Sequence, residues 1–237
     1  MFMRKWICII VSCLLGLTAF CGCKKEAENN EWLQQVAEYR AAKIAMYEEE
    51  NSRYEDFEVD VAFLGDSLTD GYNVQEYYPQ YLVVNRGIGG DTTVDLEGRL
   101  QVSLYDLQPK VAVMLIGANN MDTMFDNYEN ILKGFQQYAP NTEVILLSLT
   151  SMSGEWWGAK NQLAAYNNVT IKLLAEKYGY EYVDLYSALF HLETGGIYSE
   201  YTTDGGHLTA KGYEVLTEQI TPAIEKQLAV WELENQE

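Results

Sequence analysis

Val59-Asp60-Val61-Ala62-Phe63-Leu64-Gly65-Asp66-Ser67-Leu68-Thr69-Asp70 is the stretch whose reading decides the fold. The run from Val59 to Leu64 is apolar almost throughout and has the length of a strand. It predicts a buried strand that enters a tight turn at Gly65. A serine at such a turn is held exposed at the C-terminal edge of a sheet. A helix that follows it aims its N-terminal amides at developing negative charge. The plainer role for Asp66 or Ser67 is to cap that helix. Two later stretches weigh against the plain role alone. Gly117-Ala118-Asn119-Asn120 and Asp204-Gly205-Gly206-His207 each follow another strand-like segment.

Outward from this turn, strands are predicted over 58–64, 80–85, 111–116, 143–149 and 180–185. The third of these is wholly apolar and therefore central. The second opens into Arg86-Gly87-Ile88-Gly89-Gly90-Asp91-Thr92-Thr93, a series of close backbone turns. Asp91 or Thr93 can cap a helix there that carries Leu96, Leu100 and Leu104. Further helices are marked by Tyr128, Ile131, Leu132 and Phe135, ending near Pro140. Another covers 160–177. The last begins near Thr209, with Pro222 expected to kink it. Residues 31–50 show Leu33, Val36, Ile44 and Tyr47 near one face, as in an outer helix packed on the domain. Strands alternating with helices predict an α/β protein with a five-stranded parallel sheet covered on both faces. Right-handed crossovers then bring every exit loop to one edge, where ligands bind.

Composition narrows the function classes. The 237 residues suffice for one domain, and a hydrophobic share of 48% is that of a globular chain. A net charge of −19 argues against nucleic-acid partners and against docking on anionic membranes through protein charge. All four cysteines, Cys8, Cys13, Cys21 and Cys23, precede the domain, which excludes a thiolate metal site or a cysteine nucleophile within it. They fall in a segment with Arg4 and Lys5 at its start, an apolar run over 6–20, and then Phe20-Cys21-Gly22-Cys23-Lys24-Lys25. This segment resembles a bacterial lipoprotein signal. The resemblance implies a signal peptide over 1–22, lipidation of Cys23, a tether over 23–30 and one domain over 31–237. Cys23 fits better than Cys21 because Gly22 precedes it, although Phe20 stands where such signals usually have leucine. The expected location is the bacterial cell surface, with the membrane reached only through the lipid anchor.

The chemistry-bearing residues are few. Ser67 is the candidate nucleophile. The chain has two histidines, His191 and His207. His207 has Asp204 three residues before it, placed to accept from one ring nitrogen and leave the other facing Ser67. His191 lies in an apolar setting and reads as a satisfied structural histidine. Asn119 offers a side-chain NH2, and Gly90 a backbone N–H where a bulkier residue would block close approach. With the Ser67 N–H these make three oxyanion donors. No Gly-x-Ser-x-Gly elbow, phosphate-binding glycine pattern or zinc ligand spacing accompanies them, and no cofactor or metal is called for.

Through these residues the sequence resembles the SGNH or GDSL hydrolase family, in particular its platelet-activating-factor acetylhydrolase-like members. Gly65-Asp66-Ser67-Leu68, Asn85-Arg86-Gly87-Ile88-Gly89-Gly90-Asp91-Thr92, Gly117-Ala118-Asn119 and Asp204-Gly205-Gly206-His207 match its four blocks in order. The match covers roughly 56–228, with Leu208 where many members have proline. The resemblance implies a flavodoxin-like three-layer sandwich with strand order 2-1-3-4-5. It implies Ser67 as nucleophile, His207 as base, Asp204 as its partner, and Ser67, Gly90 and Asn119 as oxyanion donors. The expected activity is a serine esterase that removes short acyl groups, acetyl above all, from a small molecule or glycan. Met121, Met124 and Phe125 are candidates to line the acyl pocket, and Trp156 and Trp157 to stack on a sugar ring. The alternatives are a lysophospholipase or thioesterase acting on lipid acyl esters, and a binding protein that kept the fold.

Overall fold

The structure, a computed structural model, describes residues 34–235. The signal segment over 1–22, Cys21, Cys23, the tether over 23–30 and Leu33 lie outside the described residues. Contacts divide the chain at Ala45 into an upstream unit and a unit over Met46–Glu237. A helix, α1, covers 34–51. Within the second unit its last turns pack on the domain. The Tyr47 hydroxyl donates to the Gly87 carbonyl at 2.6 Å, and Asn51 donates to the Val102 carbonyl at 2.7 Å. Glu50 pairs with the buried Arg86, whose guanidinium lies 4.7 Å from the centre of the Tyr47 ring.

Five strands follow: β1 (Val61–Gly65), β2 (Val83–Gly87), β3 (Val111–Leu115), β4 (Glu143–Leu147) and β5 (Glu181–Val183). They form one sheet in the order β2-β1-β3-β4-β5, parallel throughout, with Phe63 opposite both Asn85 and Val113. The order 2-1-3-4-5 is the expected one. A side-chain period of two sorts each strand into two cores. Val61, Phe63, Val111, Val113 and Ile145 point to one side, against Leu216, Ile220 and Ile224 of α8 (Ala210–Glu234). Leu64, Ala112, Met114, Val144 and Leu146 point to the other. There they meet Leu96 of α4 (Thr93–Glu97), Tyr128, Ile131 and Phe135 of α5 (Phe125–Tyr138), and Ile171 of α6 (Asn161–Tyr178). Burial on both faces is why the strands read as unbroken apolar runs.

Several boundaries differ from expectation. β1 begins two residues after Val59, because Asp60 accepts the Leu82 amide and pairs with Lys110 at the sheet's N-terminal edge. α4 is capped by Thr92, which forms a reciprocal capping box with Asp95, so neither Asp91 nor Thr93 is the cap. The Leu100 and Leu104 positions continue through a π-helical turn, Gln101–Tyr105, after α4 ends. α8 runs through Pro222 to Glu234. A short helix α7 (Leu185–Leu189) leads into a small hairpin, β6 (Phe190–His191) paired antiparallel to β7 (Gly196–Ile197). No periodic signal marks a hairpin of two-residue strands, so the sequence reads this region as loop.

Candidate active site

The β1 exit builds the first part of the site. Asp66 caps the four-residue helix α2 (Ser67–Asp70) by accepting the Leu68 amide at 3.1 Å. Ser67 is then the first residue of the helix, with its side chain at the sheet edge and its amide among the orphan donors of a helix start. The Tyr213 hydroxyl of α8 donates to the Leu68 carbonyl at 2.9 Å and fixes this turn from below.

The last exit loop supplies the second part. The Thr202 hydroxyl donates to the His207 carbonyl at 2.7 Å and accepts the Gly205 amide at 2.8 Å. Asp204 accepts the amides of Gly206 and His207 at 2.9 and 2.8 Å through one oxygen. Gly205 has φ of +94°, and a side chain there would run into the Ser153 carbonyl, so the turn requires glycine. The tight turn leaves the second Asp204 oxygen 2.7 Å from His207 Nδ1. His207 Nε2 in turn lies 3.1 Å from Ser67 Oγ. Residues 140 apart in sequence thus form one line of hydrogen bonds: carboxylate, imidazole, hydroxyl. Burial acts to raise the Asp204 carboxyl, but the His207 amide, the His207 ring and the Gly206 amide outweigh it and hold the group well below the usual carboxylate range. Asp204 is therefore a lasting anion facing the imidazole, which fixes Nδ1 as the protonated nitrogen and Nε2 as the acceptor.

Donors converge on the same edge. Among the described residues the amides of Ser67 and Gly90 donate to no protein group. The Asn119 NH2 gives one hydrogen to the Asp91 carbonyl at 2.9 Å, which leaves the other free to donate. Gly90 has a φ of +84°, a backbone conformation that favours glycine, and no protein atom lies within 4 Å of where a Cβ would sit, so the space beside its amide is open.

Other placements differ from expectation. Met124 is fully buried beneath Gly117 and Met121 is nearly so, both within the core under α5 and α6. The sulfur of Met124 and the carbonyl of Met121 each accept from Asn167. As placed, neither offers surface to an acyl chain; only Phe125 is partly exposed. Trp156 is 73% exposed, whereas Trp157 is half-buried against His207. His191 sits in the β6–β7 hairpin, with Nδ1 2.9 Å from the Thr194 hydroxyl and its ring 4.3 Å from that of Tyr198. It is satisfied, but at a hairpin surface and not in an apolar core.

One residue that holds the site escaped the sequence reading, and another was read there only as a helix cap. Arg99, 3% exposed, bonds Asp91 at 2.7 Å, the Gly65 and Arg86 carbonyls at 2.9 Å each, and Ser103 at 2.8 Å. It ties the β1 exit to the glycine-rich loop. Its one sequence signal is a charge three residues from Leu96 and one from Leu100, inside an apolar stripe. Asp66 is the other. Its second oxygen, Oδ2, is buried with no hydrogen-bond partner, and burial pushes the carboxyl up to about 7. No group of three or more His, Cys, Asp or Glu among the described residues is placed to hold a metal ion.

Against known proteins, the GDSL-like lipase/acylhydrolase family model matches residues 63–215. The chain belongs to this family. Its members' structures share the fold. A Bacteroides fragilis protein assigned as an acylhydrolase is 26% identical with TM-score 0.69, over 77% of this chain and 95% of that one. A Streptococcus pneumonia protein assigned as a platelet activating factor is 26% identical with TM-score 0.72, over 84% and 99%. An acetyl xylan esterase from Geobacillus stearothermophilus is 20% identical with TM-score 0.58, over 71% and 95%, a likeness of fold. No curated protein matches this chain. The GDSL acylhydrolase is thus a hydrolase, its four family blocks gathered at the exit edge of one parallel sheet.

Proposed function

We propose that this hydrolase is a serine esterase that cleaves short acyl esters, acetyl above all, from carbohydrate, through an acyl-enzyme. The observation that carries the reading is the unbroken line from Asp204 through His207 to Ser67 Oγ. Ser67 Oγ attacks the acyl carbonyl carbon while His207 Nε2 takes its proton. The carbonyl oxygen gains negative charge and is met by the Ser67 and Gly90 amides and the free Asn119 N–H. Collapse expels the alcohol, which receives the proton from His207. Water then repeats the sequence on the acyl-serine and releases the acid. Asp204 stays ionised throughout and stabilises the imidazolium.

The substrate reading has two supports. Buried Met121 and Met124 fill the space under the Asn119 loop, which favours a small acyl group over a long chain. Trp156, next in sequence to the tryptophan that touches His207, presents an exposed indole, a flat apolar contact for a sugar ring. We also propose export and anchoring through Cys23, which suits a polymeric substrate outside the cell.

The test compares p-nitrophenyl acetate, octanoate and palmitate, then acetylated xylan and lysophosphatidylcholine, for the native enzyme and Ser67→Ala. Ser67→Ala should lose several orders of magnitude in rate and all labelling by a fluorophosphonate, with its fold intact. Faster turnover of the palmitate ester and the lysophospholipid would replace the glycan reading with a lipid esterase.

A further inference from the structure

Trp157 follows β4 in an exit loop and precedes a 3-10 turn, Gly158–Lys160. Four observations place it on the base. Its Nε1 lies 3.4 Å from Asp204 Oδ2, the oxygen that also faces His207 Nδ1. Its ring meets the His207 ring edge-to-face, with centroids 5.6 Å apart and planes at 89°. A Cβ on Gly206 would lie 2.5 to 2.6 Å from three atoms of the indole at once, so the Gly206 backbone packs flat on the ring. The Lys160 ammonium lies 4.9 Å from the indole centre. Gly206 and His207 therefore cover the ring, whereas Lys160 is shared, lying 5.7 Å from the Trp156 ring centre as well. Trp156, 73% exposed, is the indole left open to a ligand.

We infer that Trp157 is a positioning residue for the His207–Asp204 pair, and that it, unlike Trp156, is no sugar platform. The inference rests on the proposed roles of Ser67, His207 and Asp204. Two effects follow from the geometry. The indole edge restricts the swing of an imidazole whose side chain is 44% exposed and would otherwise rotate away from Ser67. The indole N–H also draws electron density from the one Asp204 oxygen that stabilises the imidazolium. The charged or titratable groups facing the pair are Asp66 from the β1 exit and Asp204 on its own loop, while Lys160, at the start of α6, lies against the indole. Replacing Trp157 by Phe leaves all three in place and removes the N–H. Asp204 then holds the imidazolium more tightly, so the acid limb of the rate profile moves to higher pH. The contact is long for a hydrogen bond, so the movement is modest.

The experiment measures kcat and KM for p-nitrophenyl acetate across roughly pH 5 to 9 for the native enzyme, Trp157→Phe, Trp156→Phe and Ser67→Ala. Trp157→Phe is expected to lower kcat about tenfold with little change in KM, and to move the acid limb up by roughly half a pH. The downfield proton resonance of the His207–Asp204 bond should shift with it. Trp156→Phe should leave the limb and the resonance where they are. Gly206→Ala, whose methyl displaces the indole, should lower kcat in the native background and cost little more in a Trp157→Ala background. An unmoved acid limb and resonance, with either full activity, a change in KM alone or a lowered Tm alone, would overturn the inference. If Ser67→Ala kept its activity, the proposed nucleophile would fall instead, which separates that failure from this one.

Discussion

Asp66 is the sharpest place to perturb the molecule, because its carboxyl is buried directly before Ser67. One oxygen accepts the Leu68 amide and the other meets nothing. Burial is the main cause of its rise from the ordinary 3.8 to about 7, and the Asp91 charge adds to it. The Leu68 amide and the His207 charge oppose it. At about 1.4 kcal/mol per tenfold change in proton affinity, ionising Asp66 in the folded state costs on the order of 4 kcal/mol. The sign follows from linkage. Below pH 3.8 the group is protonated in both states and costs nothing. Between 3.8 and about 7 the unfolded chain has released its proton while the folded chain still holds it, so stability falls across that window and levels off once the folded group ionises. Asp66→Asn keeps an oxygen for the Leu68 amide and a good capping residue, and carries no charge. Urea unfolding of both proteins between roughly pH 4 and 8 should therefore diverge, with the variant gaining a few kcal/mol on the native chain by pH 8. Parallel stability curves for the two would show that Asp66 stays ionised without penalty, and the account of its environment would be wrong.

Other expected outcomes follow from single contacts. Asn119→Ala should lower kcat by roughly 10²–10³ with little change in KM, since in the proposed mechanism its free N–H meets charge that develops only during reaction; a change in KM alone would make it a ground-state contact. His207→Ala should be as inactive as Ser67→Ala, whereas His191→Ala, whose ring pairs with Thr194 in the hairpin, should keep its rate. Arg99→Met removes the buried guanidinium that pairs with Asp91 and should cost about 3–5 kcal/mol in urea unfolding. Cys23→Ala should move the protein from the detergent phase to the soluble fraction or leave an unprocessed precursor; partitioning that responds to Cys21→Ala instead would relocate the lipid.

What was legible in the sequence is what local chemistry determines. Five apolar runs separated by helical stripes specify a parallel sheet covered on both faces, and handedness then orders its loops. The ends of those strands were less legible. A strand stops where a side chain takes over the backbone's partner, as when Asp60 accepts the Leu82 amide, and that acceptor comes from elsewhere in the chain. The π-helical turn after α4 is of the same kind. Its Ser103 hydroxyl accepts from Arg99, and Asn51 of α1 reaches the Val102 carbonyl. Neither contact leaves a trace in the periodicity of 101–105.

The site divides along the same line. Asp204 and His207 are three residues apart, so a glycine turn between them suffices to place carboxylate and ring together, and the pairing is readable from spacing. Ser67 joins them only because the topology brings the first and last exit loops to one edge, which the strand count already implies. Arg99, Asp66 and Trp157 act across that edge, through interactions between residues 8 to 141 apart. Their residue types carry little signal alone: an arginine in a stripe, an aspartate at a cap, one of two adjacent tryptophans. The structure separates the two tryptophans by what surrounds each ring. Lys160 lies near both rings, but only Trp157 is packed between Gly206 and His207, while Trp156 keeps 73% of its surface in solvent. The proposed chemistry rests on residues that local spacing marks out, and the precision of its alignment on residues that only the fold brings near.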